Sequence, residues 1–142
     1  MSDPSLPIQG AFVARLKTNG ILPAVVGGRV LDRVAADTPR PYVTVGETLV
    51  LPDKAECLNG SESFPVVRCF SDKAGYPEVK EIAAAVIAAL DEYNDLVISD
   101  HRLIVIELDD VRYRRDANGL TSIADITFRV VTEPEQPLTS GD

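Results

Sequence analysis

The chain has 142 residues, 45% of them hydrophobic, and a formal net charge of −8. That length suits one domain with a real core, and the lack of a basic stripe to displace counterions disfavours tight, static nucleic-acid binding. Two cysteines make no disulfide framework, no apolar run approaches a bilayer span, and the N-terminus lacks the charged and apolar regions of a leader. The expectation is a soluble protein made in a reducing cytosol, with no membrane partner.

Ile8, Phe12 and Leu16 recur at helical spacing, which predicts an amphipathic helix over about 6–18. Asn19-Gly20 stops it. A short helical turn, Leu22 to Val26, ends at Gly27-Gly28, and Arg29 to Val34 is a short strand candidate. Pro39-Arg40-Pro41 breaks the chain before a second strand, Tyr42 to Glu47. Residues 48–61 hold Pro52, Asp53, Asn59 and Gly60 without a sustained period, so Thr48 to Gly60 reads as a long, mobile loop of the kind that carries contacts. Leu49, Val50 and Leu51 are apolar residues that a purely solvated loop does not favour.

A third strand is expected from Glu62 to Phe70. Pro77 then suits the first turn of a helix, where Glu78 and Glu81 favour the positive end of the dipole. Val79, Ile82, Ala83, Val86, Leu90 and Tyr93 form its apolar stripe, and flanking alanines let it lie close against a sheet. Leu96 to Ser99 reads as a brief strand, followed by a turn at Asp100-His101-Arg102. Beyond Glu133, residues 134–142 read as a polar, mobile tail. Residues 77–101 carry six acids against Lys80 alone, a net of −5, whereas residues 102–133 net −1. A solvated acidic helix face explains this, as does a surface that repels polyanions or docks on a basic partner.

The longest feature is a hairpin, Leu103 to Val131, turning at Asp116-Ala117-Asn118-Gly119. Asn-Gly supplies positive-φ positions. After the turn, Ala124, Ile126, Phe128 and Val130 alternate with polar residues, so one face is buried. Before it, Ile104, Ile106 and Leu108 share one parity and Val111 and Tyr113 the other. Either a β-bulge at Asp109-Asp110 flips the phase, or the first part is buried on both faces. The fold class is α+β: a mainly antiparallel sheet with a long, projecting β-hairpin and two helices packed on one face, forming one domain over 1–133.

No active site emerges. His101 stands alone and reads as a surface turn residue, no Gly-x-Ser-x-Gly elbow presents a nucleophile, and Cys57 and Cys69 lack the spacing or second histidine of a zinc site. Gly27-Gly28 lacks the spacing and Lys-Ser/Thr of a phosphate loop. No catalytic, cofactor or metal residue is assigned.

Several blocks in order carry a resemblance. They are Val26-Gly27-Gly28-Arg29-Val30-Leu31-Asp32-Arg33-Val34, then Pro41-Tyr42-Val43-Thr44-Val45-Gly46, then a strand leading into Ser71. Next come the helix with Val79-Lys80-Glu81-Ile82-Ala83-Ala84-Ala85-Val86 and Ala88-Ala89-Leu90, His101-Arg102-Leu103, and Arg115-Asp116-Ala117-Asn118-Gly119-Leu120-Thr121. Together, over about 11–133, they resemble the tail-completion, or tail-terminator, family of long-tailed bacteriophages, prophages and gene-transfer particles. The family often has Trp-Ser where this chain has Phe70-Ser71.

The resemblance implies a structural virion protein, not an enzyme. It implies a homohexameric ring at the head–tail junction that caps the tail tube, joins it to the head–tail connector and passes DNA without stable binding. A ring follows from a heterologous interface that closes. The residues expected at inter-subunit contacts are Arg112, Arg114 and Arg115 against Glu78, Glu81 and Asp91, with Leu49, Val50 and Leu51 meeting the tube or a neighbour. Acidic character is expected to face the channel. The alternatives are a non-ring adaptor binding another virion protein, and a small hydrolase using His101.

Overall fold

A computed structural model of the protein describes residues 3–18, 20, 22–53 and 59–135. Along the chain run α1 (Ser5–Thr18), α2 (Leu22–Val26), β1 (Val30–Leu31), β2 (Tyr42–Asp53), β3 (Gly60–Ser71), α3 (Pro77–Leu90), β4 (His101–Arg115) and β5 (Ser122–Pro134). The five strands form one sheet in the order β1-β2-β3-β5-β4, antiparallel except for the two-residue pairing of β1 with β2. The α+β class holds, with α2 as a third helix.

Side-chain alternation decides which face the helices cover. Val43 and Val45 of β2, Val67 and Cys69 of β3, and Ala124, Ile126, Phe128 and Val130 of β5 are all buried and share one face by register. Over them lie Ile8, Phe12 and Leu16 of α1, Leu22 and Val26 of α2, and Val79, Ile82, Val86 and Leu90 of α3, in one core. Phe12 meets Phe128 edge-on, ring centroids 5.7 Å apart, an arrangement the ring quadrupoles favour. The other face carries Thr44, Arg68, Asp125, Thr127 and Arg129, and no helix among the described residues covers it.

The phase flip in β4 is a bulge, and there are two of them. Register slips between Leu103 and Val105 and again between Leu108 and Asp110. The extra residues, Ile104 and Asp109, account for the excess of the 15-residue β4 over the 13-residue β5. Leu103, Leu108, Val111 and Tyr113 consequently all reach the core despite their mixed parity.

Four expectations are corrected. The hairpin does not project: β5 sits inside the sheet between β3 and β4, because its one-sided apolar face needs helices above it. Thr48 to Gly60 is not one long loop. Thr48–Asp53 continues β2 past a bulge and pairs with Gly60–Pro65, leaving residues 54–58, which include Cys57, outside the described residues. Leu96 to Ser99 is no strand; a single bridge joins Ile98 to His101, because Asp100 at φ 63° turns the chain at once into β4. His101 is therefore a buried strand residue whose Nδ1 lies 2.8 Å from the Ser99 carbonyl oxygen.

The turn also works differently from the Asn-Gly rule. Only Gly119 has positive φ, at 72°. Asn118 acts through its side chain, whose Oδ1 accepts the Leu120 and Thr121 N–H groups at 2.8 and 3.1 Å. The loop closes where Asp116 N–H donates to the Thr121 carbonyl at 2.9 Å. Pro134 ends β5 and the Glu135 N–H bonds the Asp100 carbonyl; the remainder of the expected tail, residues 136–142, lies outside the described residues.

Candidate functional site

The open sheet face is built from cross-strand charges. Arg68 on β3 donates from Nε to Asp125 on β5 and from a terminal nitrogen to Glu47 on β2, both at 2.7 Å. Arg114 on β4 grips the second oxygen of Asp125 at 2.7 Å. Farther along, Arg129 on β5 links Glu62 on β3 at 2.5 Å and Glu107 on β4 at 3.1 Å. Each chain of charges crosses three or more strands, so it ties the sheet laterally where no helix does. Partial burial pushes the Asp125 carboxyl up, but the bonds from Arg114 and Arg68 more than reverse this, leaving it below the ordinary aspartate value. The Arg68 hydrogen bond likewise lowers Glu47.

The residues expected at inter-subunit contacts are dispersed by these bonds. Arg114 is committed to Asp125. Glu78 accepts from the Ser71 hydroxyl at 2.6 Å and pairs with Lys73 at 3.4 Å. Asp91, the C-cap of α3, accepts the Leu108 N–H at 2.8 Å and so clamps the helix end to the second β4 bulge. Arg112 lies opposite Asp125 in register yet forms no ion pair among the described residues, and Glu81 is exposed on α3. Arg115 places its guanidinium over the Tyr76 ring, 4.4 Å from the centroid.

Leu49 and Leu51 stand on the open face of β2, 56% and 41% exposed, while Val50 points to the covered side opposite Ser63. β1 covers only Val43 and Thr44. Among the described residues, the half of β2 that carries the leucines is thus an unpaired strand edge with apolar side chains, a ready template for association.

One feature lies outside the sequence reading. Where β2, β3, β4 and β5 end together, a cleft of about 620 Å³ opens, lined by Arg40, Asp72, Gly75, Arg115, Gly119 and Leu120 among others. Arg40 pairs with Asp72 at 3.1 Å, and Asp72 also accepts from the Thr121 hydroxyl at 3.0 Å. Positions so far apart in sequence give no local signal of their meeting. Leu120, an apolar side chain 74% exposed beside the turn, lies on its rim.

With the fold in place, kinship can be read. Residues 10–133 match the family model "Tail completion protein gp17". The chain belongs to this family. A solved chain from the virion of a native gene transfer agent particle superposes with a TM-score of 0.82 at 30% identity, covering 89% of this chain and 94% of that one. The gp17 protein of bacteriophage SPP1 superposes at 0.61 with 21% identity, covering 94% of each, and shares the fold. No curated protein matches the chain. Members of the tail completion family are structural virion proteins, and this chain is a structural tail protein. No helix among the described residues is long and apolar enough to cross a membrane.

Proposed function

We propose that this tail completion protein is synthesised in the host cytoplasm and closes as a homohexameric ring at the head–tail junction. There it caps the finished tail tube and meets the head–tail connector, and DNA passes through without stable binding. The observation that carries the reading is the 30% identity to a chain of an assembled virion, over almost the whole of both chains. The charge is consistent with it: a chain at −8 without a basic stripe is poorly suited to holding a polyanion, and weak repulsion keeps a duplex mobile. On this reading acidic side chains face the lumen.

Two surfaces serve the assembly. The β4–β5 hairpin is the inter-subunit element; since Arg114, Glu78 and Asp91 are occupied within the chain, its contact falls to Arg112 and Arg115, with Glu81 on the acidic side. The open β2 edge bearing Leu49 and Leu51 meets the tail tube. Native mass measurement of the purified protein, alone and with tail tubes, tests the ring: a hexamer in either state is expected. A protein that stays monomeric alone and binds tubes one copy at a time would instead be an adaptor.

A further inference from the structure

Two prolines fix which backbone groups the free edge of β2 presents. In an antiparallel ladder alternate residues turn their N–H and C=O groups toward the partner strand, and the residues between turn theirs away. Pro52 has no N–H, yet β2 pairs with β3 without a break from Leu49 opposite Phe64 to Asp53 opposite Gly60. That requires the Pro52 nitrogen to face away from β3. Pro65 reports the same phase from the other side of β3. The ladder to β5 skips Phe64 and Pro65, between Ser63 opposite Val130 and Val66 opposite Thr127. The missing donor of Pro65 therefore faces β5, and Phe64 faces β2.

Leu49 and Leu51 accordingly bond β3, while Thr48, Val50 and Pro52 turn their backbone groups to the edge. Before the bulge β1 already uses this edge, where the Val43 N–H donates to the Arg29 carbonyl at 2.9 Å. β1 stops at Leu31 opposite Thr44. Among the described residues, the N–H groups of Thr48 and Val50 and the carbonyls of Thr48, Val50 and Pro52 thus have no strand partner.

We propose that this edge takes up an extended strand of the tail-tube subunit, continuing the column that β1 begins. The added strand extends the sheet by main-chain hydrogen bonds and packs two alternate apolar side chains beside Leu49 and Leu51 on the open face. The chain's own edges make poor occupants. β4 is the other edge of the sheet, but its runs place Arg102, then Val105 and Glu107, then Asp110, Arg112 and Arg114 on the open face. Every such run sets a charge against the leucines. Two copies of β2 paired about Val50 would bring Glu47 near Asp53 twice, and would set Pro52 against Thr48 with one hydrogen bond lost at each end. Size points the same way. Thr48 to Asp53 is far shorter than the roughly 20–30 residues a side of a stable pairwise interface, so strand addition here holds only where many copies bind at once. A ring seated on a repeating tube meets that condition. That the partner is the tube rests on the function proposed above; the use of the edge for main-chain pairing does not.

The test is amide hydrogen exchange of the full chain, read residue by residue with and without assembled tail tubes. The Thr48 and Val50 N–H groups should exchange fast in the free protein and slow about tenfold or more on tubes. Those of Leu49 and Leu51, already bonded to β3, should be slow in both states. Val50→Pro removes only an outward N–H, as Pro52 does naturally. It should keep a melting temperature close to the parent's and weaken tube attachment about tenfold or more, whereas Leu49→Pro, one residue away and facing inward, should lower the melting temperature sharply. Full attachment of Val50→Pro, or Thr48 and Val50 amides that tubes leave unchanged, would overturn strand addition while leaving a contact through the leucine side chains. A Val50→Pro chain that fails to fold would overturn the outward assignment of that N–H. Protection of both amides in the protein's own assembly, without tubes, would give the edge to a second copy instead. A parent that does not attach to tubes would remove the tube reading as well.

Discussion

The two faces of the sheet are made by different physics. The helix-covered face is apolar and interlocked: Phe128, Ile126 and Val130 are wholly buried beneath α1 and α3. The open face is held by guanidinium–carboxylate chains in partial contact with water. Hydrophobic burial is strong and non-directional, while partly solvated ion pairs are weaker but fix geometry. The covered face therefore sets whether the protein folds. The open face sets strand register and which charges remain for a partner.

Unequal damage is the sharpest test of that division. Phe128→Ala removes a side chain that fills the space beneath Phe12 and should cost about 3–5 kcal/mol in urea unfolding. Asp125→Ala, which frees Arg68 and Arg114 together, should cost only about 1–2 kcal/mol because both guanidinium groups can turn to water. Its loss should also depend on pH. A carboxyl held below its unfolded value contributes stability above that value, near 4, and loses it as pH falls through the folded one. The gap between Asp125→Ala and the parent should narrow from pH 7 to pH 3, whereas that for Phe128→Ala should not. Equal costs for the two variants at pH 7 would end the comparison.

Smaller effects probe its margins. Gly46→Ala places a Cβ 3.0 Å from the Asp32 carboxylate at the β2 bulge, and should cost about 1 kcal/mol or less, since that side chain can swing aside. Replacing Leu49 and Leu51 by serine should change monomer melting least, because both side chains already face solvent, while weakening attachment to tail tubes in a pull-down. A large fall in melting temperature would show that these leucines belong to the core instead.

Much of the covered face could be read from the chain, because burial imposes periodicity. The helical spacing of Ile8, Phe12 and Leu16, the stripe of α3 and the alternation of β5 all report one-sided contact with the core. The parity flip at Asp109-Asp110 was legible for the same reason. The open face was not. That Arg114 would be consumed by Asp125, or that Arg40 would meet Asp72 and Thr121 at a cleft, depends on strand order, and charged residues on a solvated face carry no period to reveal it. The second half of β2 was hidden by Pro52 and by its bulge, which break the alternation that marks a strand. His101 was misplaced because a turn was expected at the residue that begins β4.

The paired bulges give β4 a reading frame of its own. Each inserted residue inverts which side chains face inward, so the two inversions cancel between the outermost residues and the segment beyond Asp109. Asp109 has no partner on β5, so a strand without it would still pair Leu108, Asp110 and Val111 with Phe128, Thr127 and Ile126, and every side chain would keep its face. The same holds for Ile104. Removing a paired residue such as Arg112 would instead turn Tyr113 toward water and Arg114 toward the core if the earlier residues kept their places. Single-residue length changes among relatives should therefore appear at Ile104 and Asp109, each independently of the other.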